Sequence, residues 1–333
     1  MLGYQILWDE QFCCYGYGKN CLLVEERGVY DPILEIADEL YHLISRSKPI
    51  LVEKGQYLIK INNYPIQTAN KFLEIIKNIK VYFGESIKPH QKSYFGYNDD
   101  TVNLSKNKKL INIGFTINLH NQENKVIYED FKDVMIHELQ HAYWYWNILT
   151  SPSINATEDE IARMQNYRCL KKTSSSDEEE LVKTLFYVTE RNEIEAFGVQ
   201  LYNFILNNKD INQTNVFEKA SKTDLGYNII FLETIVKYIK NAPKETKYKL
   251  GQAYMKVFNR NDITPKKAIL MLYQRVVKEY KYMVDKFYQI AGKALLTAIN
   301  ELHESGREVT ILINIPQNHK TNMRLIREIF KKN

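Results

Sequence analysis

The stretch from residue 129 to 149 constrains the fold of this chain most, because its apolar periodicity predicts a helix with polar residues on its inner face. Within it, residues 137–141 read His-Glu-Leu-Gln-His. Successive residues of an α-helix are rotated by about 100°, so His137 and His141 lie about 40° apart on one face. Val134 shares that face, which predicts that both histidines point toward a core. Two imidazoles in a core require a polar partner or a metal ion.

The spacing of these residues suits zinc chemistry. Two histidines one helical turn apart can bind a single Zn²⁺ ion, and Glu138 between them can act as general base for a water molecule at the metal. The chain contains only seven histidines, so a chance occurrence of the pattern is uncommon. The alternative is a buried helix whose histidines are satisfied by hydrogen bonds while Glu138 is solvated. A third protein ligand would favour the metal, because a catalytic zinc site needs one.

The expected third ligand is a glutamate in the segment 180–207, which its apolar spacing predicts to be a second helix. Trp144 and Asn147 occupy the positions at which a glycine and a third histidine would extend the first motif. Glu190 and Glu193 instead interrupt the apolar face of the second helix, where a carboxylate is unfavourable unless it is paired or bound to a metal. Glu193 is the first choice as ligand, and Glu190, one turn earlier, is the rival or a supporting partner. Two glutamates on a partly solvated helix are the alternative.

The motif at 137–141, followed by Asn-Glu-Ile-Glu-Ala at 192–196, resembles the gluzincin branch of the zincin metallopeptidases, in the style of compact zincin-like peptidases of phages and bacteria. The resemblance covers the two helices and the strand before them. It implies a zincin-like catalytic core made of a small sheet, the motif helix and the glutamate helix. It further implies a zinc-dependent peptidase in which His137, His141 and Glu193 bind Zn²⁺ and Glu138 is the general base. The substrate would be a peptide or a protein.

One departure from the gluzincin pattern concerns the support of the metal ligands. Many gluzincins carry an acidic or amide residue four positions after the ligand glutamate, where this chain has Phe197. The group that orients a metal-bound histidine must then come from elsewhere, and Glu190 is a candidate. A residue that stabilises the oxyanion is also expected across the metal. Three tyrosines are candidates of equal rank: Tyr143, Tyr187 and Tyr202.

Zincins also share an edge strand upstream of the motif helix, which pairs with an extended substrate. Residues 110–119 suit that place, because they are β-branched, partly alternating and followed by a polar turn. Pairing of a peptide with this strand would supply backbone hydrogen bonds with little side-chain selectivity. His120 follows the strand directly and is interpreted as a turn residue rather than a residue of the cleft.

The chain as a whole is predicted to be an α+β protein of three regions. These are an N-terminal α/β region at 1–85, the zincin-like core at 86–210 and a mainly helical C-terminal region at 211–333. Further helices are predicted at 31–45, 68–78, 225–241, 244–258, 264–304 and 322–331. A hairpin at 4–26, strands at 56–62 and 307–315 and a loop at 88–109 complete the pattern.

The segment between the motif helix and the glutamate helix has two features. Residues 151–171 are predicted to form a helix that acts as a lid of the cleft or simply packs beside it. Ser176 or Asp177 is predicted to cap the helix that follows, with acidic residues in its first turn.

Composition limits the partners and the compartment. The net charge of +5 arises from scattered lysines, which predicts solvated faces rather than a nucleic-acid-binding track. The N-terminus lacks the pattern of a signal peptide, and no apolar run approaches the ~20 residues of a membrane span. A cytoplasmic or virion-associated protein is therefore expected, with reduced thiols. The four cysteines are Cys13, Cys14, Cys21 and Cys169.

Two other functional interpretations remain open. A catalytically silent zincin-like fold would serve as a structural or interaction protein, for example in a phage particle. Its contacts with a protein partner would be made by the helical C-terminal region. A zinc hydrolase that acts on a non-peptide amide is the third interpretation. No membrane partner and no nucleic-acid partner are expected under any of them.

Overall fold

The computed structural model describes residues 5–7, 30–62, 76–89, 91–97, 113–150, 174–302 and 310–312. The chain divides into two compact units. We call residues 28–157 the sheet unit, and residues 1–27 together with 158–333 the helical unit. The described elements run in the order β1 (Gln5–Leu7), α1 (Asp31–Ser45), β2 (Ile50–Glu53), β3 (Gln56–Asn62), β4 (Ile76–Gly84), β5 (Tyr94–Tyr97), β6 (Ile113–His120), α2 (Tyr128–Thr150), α3 (Asp177–Val188), α4 (Arg191–Asn207), α5 (Val216–Ala220), α6 (Asp224–Asn241), α7 (Lys244–Val257), α8 (Pro265–Leu302) and β7 (Thr310–Leu312).

The sheet unit contains a five-stranded mixed sheet in the order β2-β3-β4-β6-β5. Neighbouring strands are antiparallel except β4 and β6, which run parallel. Strand β6 buries every second residue, as expected for a strand with one face on a core. Its four buried side chains are Ile113, Phe115, Ile117 and Leu119. Helix α2 contacts both β5 and β6, so the sheet supports the helix that carries the motif.

A polar contact fixes the start of α2 against α1. The Tyr128 hydroxyl donates a hydrogen bond of 2.6 Å to Oδ1 of Asp38, and the Lys132 Nζ lies 2.9 Å from the same oxygen. Apolar residues of α1, including Leu40 and Ile44, are fully buried. The N-terminal half of the motif helix is therefore held by both packing and an ion pair.

Two sequence predictions for the sheet are wrong. The expected helix at 68–78 ends in a strand, because residues 76–84 form β4; its earlier part lies outside the described residues. Ile76 and Ile79 fit helical spacing, yet the residues after them alternate, and pairing with β3 and β6 decides for a strand. The expected loop at 88–109 contains β5.

The expectation that residues 110–119 form an edge strand is also wrong. Their described part belongs to β6, which lies between β4 and β5. Among the described residues, the outermost strand on this side is β5, a strand of four residues that pairs antiparallel with β6. A strand this short carries little periodicity of its own, and its conformation depends on its partner strand.

The helical unit is organised around α8, a helix of 38 residues that contacts α4, α6 and α7. Its inner face is apolar and aromatic, with Tyr280, Phe287 and Tyr288 among the largest fully buried side chains. Strands β1 and β7 of this unit pair in parallel. No described helix of either unit is both long and apolar enough to cross a membrane.

The prediction of one continuous helix at 180–207 is wrong. The structure has α3 and α4, which are separated at Thr189 and Glu190. The Thr189 hydroxyl donates to the carbonyl of Leu185 at 2.6 Å, a local hydrogen bond that competes with helix propagation. Glu190 has extended backbone angles, φ −69° and ψ 137°, and forms the N-cap of α4.

Most other element predictions are confirmed. Helix α1 and strand β3 have the predicted bounds, and α2 agrees with the predicted motif helix to within one residue at each end. Ser176 caps α3 by accepting a hydrogen bond from the Glu179 N–H. Helices α6, α7 and α8 and strand β7 occur where helices and a strand were predicted. The α+β class is therefore correct.

Three predicted segments lie largely or wholly outside the described residues: the hairpin at 4–26, the helix at 151–171 and the helix at 322–331. The predicted region boundary at residue 85 falls inside the sheet unit, because β4 pairs with β6 across it. The boundary at 210 falls inside the helical unit.

Candidate metal centre

The two histidines of the motif face each other on α2. The Nε2 atoms of His137 and His141 are 3.1 Å apart, and their rings lie nearly perpendicular with centroids 4.7 Å apart. The prediction that both lie on one helical face is confirmed. His141 is buried, whereas His137 is half-buried. Both side chains thus present the same nitrogen toward one point.

The other side of α2 is apolar. Met135, Ile136, Leu139 and Ala142 are fully buried and lie about 100° or more round the helix from both histidines. The helix that carries the motif is therefore anchored in a core.

Glu138 lies between the histidines and is only 8% exposed. Its Oε2 accepts a hydrogen bond of 3.1 Å from the backbone N–H of Phe95, in β5. The Phe95 ring also stacks on His141, with centroids 6.1 Å apart and an interplanar angle of 29°. Glu138 is therefore not solvated, and that part of the alternative is wrong. The 3.1 Å between the two histidine nitrogens is also the distance of a hydrogen bond, so the part in which the histidines are satisfied by hydrogen bonds stays open.

Glu193 lies in the first turn of α4 and is only 3% exposed. Ile194 and Ala196 beside it are fully buried, and Phe197 one turn later is buried as well. One ligand atom of each of His137, His141 and Glu193 lies within 4.8 Å of those of the other two. The three residues that the sequence indicated as ligands are therefore close enough to share one ion.

Glu190 has a different environment from the one predicted. Because it caps α4 in extended conformation, it does not share a helical stripe with Glu193. Its Oε1 accepts a hydrogen bond of 3.1 Å from the guanidinium of Arg275 in α8. That guanidinium also lies 3.9 Å from the centroid of the Phe186 ring. Glu190 is thus part of an ion pair that joins the start of α4 to α8.

Two further ion pairs join α4 and α8 around Glu193. Arg191 lies 3.1 Å from Glu279, and its guanidinium covers the Tyr282 ring at 3.3 Å. Glu195 lies 2.6 Å from the Nζ of Lys286. Sequence reasoning did not identify these pairs, since the partners are far apart in the chain and no local pattern signals them.

The remaining predicted residues have other contacts. The Tyr202 hydroxyl and the Thr297 hydroxyl form a hydrogen bond of 3.0 Å inside the helical unit. The His120 Nδ1 forms a hydrogen bond with the backbone carbonyl of Ile87. His120 is the last residue of β6 and is paired with Gly84, so its interpretation as a turn residue is wrong. Tyr143 is half-buried in α2, and Tyr187 is half-buried in α3.

The donor set fits a zinc ion. Zinc binds imidazole nitrogens at about 2.0–2.1 Å in tetrahedral geometry, which places two of them about 3.3 Å apart. The Nε2–Nε2 separation of 3.1 Å is close to this value. Two histidines and one glutamate also leave the fourth tetrahedral position to a water or a substrate.

Comparisons of the chain with protein-family models, curated proteins and solved structures found no match. The donor atoms and their surroundings are therefore the basis on which a function can be inferred.

Proposed function

We propose that this protein is a zinc-dependent peptidase with a zincin-like core of the gluzincin type. In this proposal His137, His141 and Glu193 hold Zn²⁺, and Glu138 is the general base. The observation that carries it is the mutual proximity of the three ligand atoms, all within 4.8 Å. The sequence also indicated all three residues, with Glu190 as the rival of Glu193.

The chemistry divides between the ion and Glu138. Zinc, when bound, would polarise the substrate carbonyl and lower the pKa of a water molecule. Glu138 lies on the same helix, next to the ligand His137, where its carboxylate can take the proton from the attacking water and return it to the leaving amine. The hydrogen bond from Phe95 holds Oε2 and orients the carboxylate for this transfer.

The sheet supports a proposal for the substrate class. Strand β5 is the outermost strand of the described sheet on the side that α2 contacts. The outer edge of a strand presents N–H and C=O groups that an extended peptide can pair with. The N–H of Phe95 is already bound to Glu138, so a peptide would pair with the other outward groups of β5 and run beside Glu138 and the two histidines. This supports a peptide or protein substrate over a small amide.

The proposal is tested with Glu138→Gln, which removes the base and keeps the size of the side chain. We expect stoichiometric zinc by elemental analysis, and a fall in hydrolysis of a peptide library by at least about 100-fold, since general bases contribute typically 10²–10⁴-fold. The matched control is Glu129→Gln, the same change at an exposed position of the same helix. It should retain both zinc and activity.

Two outcomes contradict the proposal. Full activity of Glu138→Gln would refute the assigned base. Purified wild-type protein without zinc, or zinc-loaded protein without hydrolysis of any peptide, would instead favour the catalytically silent interaction protein.

A further inference from the structure

Phe95 of β5 contacts two residues of the motif. Its N–H donates to Oε2 of Glu138 at 3.1 Å, and its ring stacks on His141. These two contacts join one residue of the sheet edge to both the base and a ligand of the proposed site. Phe95 was not indicated by any sequence motif.

The direction of this N–H matters for its role. In an antiparallel ladder, successive residues direct their N–H groups alternately toward the partner strand and away from it. Phe95 is opposite Phe115 of β6, yet its N–H reaches the side chain of Glu138 on α2. The N–H of Phe95 is therefore one of those that are directed away from β6. The strand fixes the direction of this backbone N–H, so no side-chain rotamer has to be ordered to place the donor.

A charged acceptor makes this contact stronger than an ordinary backbone hydrogen bond. Hydrogen bonds between an N–H and a carboxylate are shorter and roughly twice as strong as neutral ones. In the apolar surroundings of α2 the carboxylate of Glu138 is only 8% exposed, so water competes little for it. The N–H of Phe95 can then hold the carboxylate in one orientation.

We infer that Phe95 is a positioning residue of the site: its N–H sets the carboxylate of Glu138 and its ring fixes the imidazole of His141. The inference rests on the proposed function, in which Glu138 is the base. It goes beyond that function by assigning part of the catalytic geometry to a backbone group of the sheet edge. A substrate that pairs with β5 would then be aligned by the same strand that aligns the base.

The first test observes the hydrogen bond itself and requires no activity. Protein labelled with ¹⁵N-phenylalanine gives an amide signal for Phe95, which is assigned by its loss in Phe95→Tyr. We expect amide exchange of Phe95 to accelerate at least about tenfold in Glu138→Ala, because the acceptor is gone. The control Glu129→Ala should leave it unchanged. Equal exchange rates in wild type and Glu138→Ala would overturn the inference.

The second test separates the N–H from the ring. Phe95→Pro removes both the N–H and the ring, whereas Phe95→Ala removes only the ring. Proline is tolerated on an edge strand where the N–H points outward. Relative to Phe95→Ala, we expect Phe95→Pro to lower kcat by about 10- to 100-fold, as for a misplaced catalytic group, with KM within about twofold and zinc retained. Equal kcat in the two variants would refute the role of the N–H.

The outcomes also separate this inference from the proposed function. Accelerated exchange in Glu138→Ala combined with an inactive wild type would refute the peptidase and retain the contact. Unchanged exchange in an active enzyme would retain the peptidase and refute Phe95 as the positioning residue. If Phe95→Pro fails to fold, the exchange measurement still decides.

Discussion

At the scale of single residues, the site combines polar side chains with apolar surroundings. Glu138, His141 and Glu193 are each less than 9% exposed. Burial of a carboxylate is costly unless a cation or strong hydrogen bonds compensate it. For Glu138 the described compensation is the N–H of Phe95, and for Glu193 the proposed compensation is the metal ion. Under the proposed function, zinc affinity is the property that changes at Glu193 should affect most.

The prediction at this scale compares the two candidate glutamates. We expect Glu193→Gln to lower zinc affinity more than about 100-fold. Mutation of a residue that only supports a metal ligand typically lowers affinity 10- to 100-fold, and loss of the ligand itself should lower it further. Glu190→Gln keeps all three proposed ligands and should lower affinity by less than about tenfold. The measurement is competition with a chromophoric chelator. Loss of zinc from Glu190→Gln with retention in Glu193→Gln would reverse the assignment of the third ligand.

At the scale of elements, the break between α3 and α4 determines what the glutamates do. It turns Glu190 into an N-cap that binds Arg275, while Glu193 stays in the first helical turn. Carboxylates are also favoured in the first turn of a helix by its dipole. With the pairs of Arg191 and Glu195, α8 holds the start of α4 at three points. The position of Glu193 therefore depends on α8, which contributes no ligand.

The element prediction concerns Arg275. Arg275→Met keeps an apolar stem on Phe186 but leaves Glu190 without its guanidinium. We expect the free energy of unfolding to fall by about 1 kcal/mol, as for a partly exposed pair, and zinc affinity to fall by up to about tenfold. Urea denaturation and chelator competition measure the two effects.

The matched control for Arg275→Met is Lys249→Met, which breaks the exposed ion pair with Glu245 on the surface of α7. An exposed pair at this spacing contributes only about 0.3–0.5 kcal/mol, and it lies outside α4. Zinc affinity of this variant should equal that of wild type. An equal fall in zinc affinity for both variants would contradict a specific role of α8.

At the scale of the whole molecule, stability depends on pH through a half-buried carboxyl group, that of Asp285. Burial raises the pKa of Asp285 in α8 from its ordinary value of 3.8 to about 6, and nearby Lys281 offsets only part of this effect. Between about pH 4 and pH 6 the folded protein therefore keeps a proton that the unfolded chain releases. The stability that this proton contributes is present at low pH and is lost as the pH rises through 6.

The corresponding prediction is that Asp285→Asn stabilises the protein at pH 7.5. A pKa difference of about 2 units corresponds to an upper value of about 3 kcal/mol. The gain should shrink toward zero as the pH falls to 4, as measured by urea denaturation at a series of pH values. Asp262→Asn is the control, because Arg260 lowers the pKa of that exposed carboxyl to about 2 and its loss should give no gain. A pH-independent effect of Asp285→Asn would refute the role of burial.

The sequence by itself determined the parts that depend on local periodicity. Helix α2 and the common face of His137 and His141 follow from the spacing of apolar residues along a helix, which is a property of consecutive residues. The α+β class could be predicted for the same reason. The same spacing indicated both Glu190 and Glu193, and only the resemblance to a family pattern favoured Glu193.

Only the tertiary structure decided the pairings between distant segments. The parallel pairing of β4 with β6 and the place of β5 at the sheet edge arise from interstrand hydrogen bonds, which leave no periodic signal in a short strand. Phe95 contacts Glu138 across 43 positions, and Arg275 contacts Glu190 across 85. A hydrogen bond or ion pair depends on distance in space, whereas periodicity reports only distance along the chain. The sequence therefore indicated the candidate ligands and the base, and the fold decided which residues hold them in position.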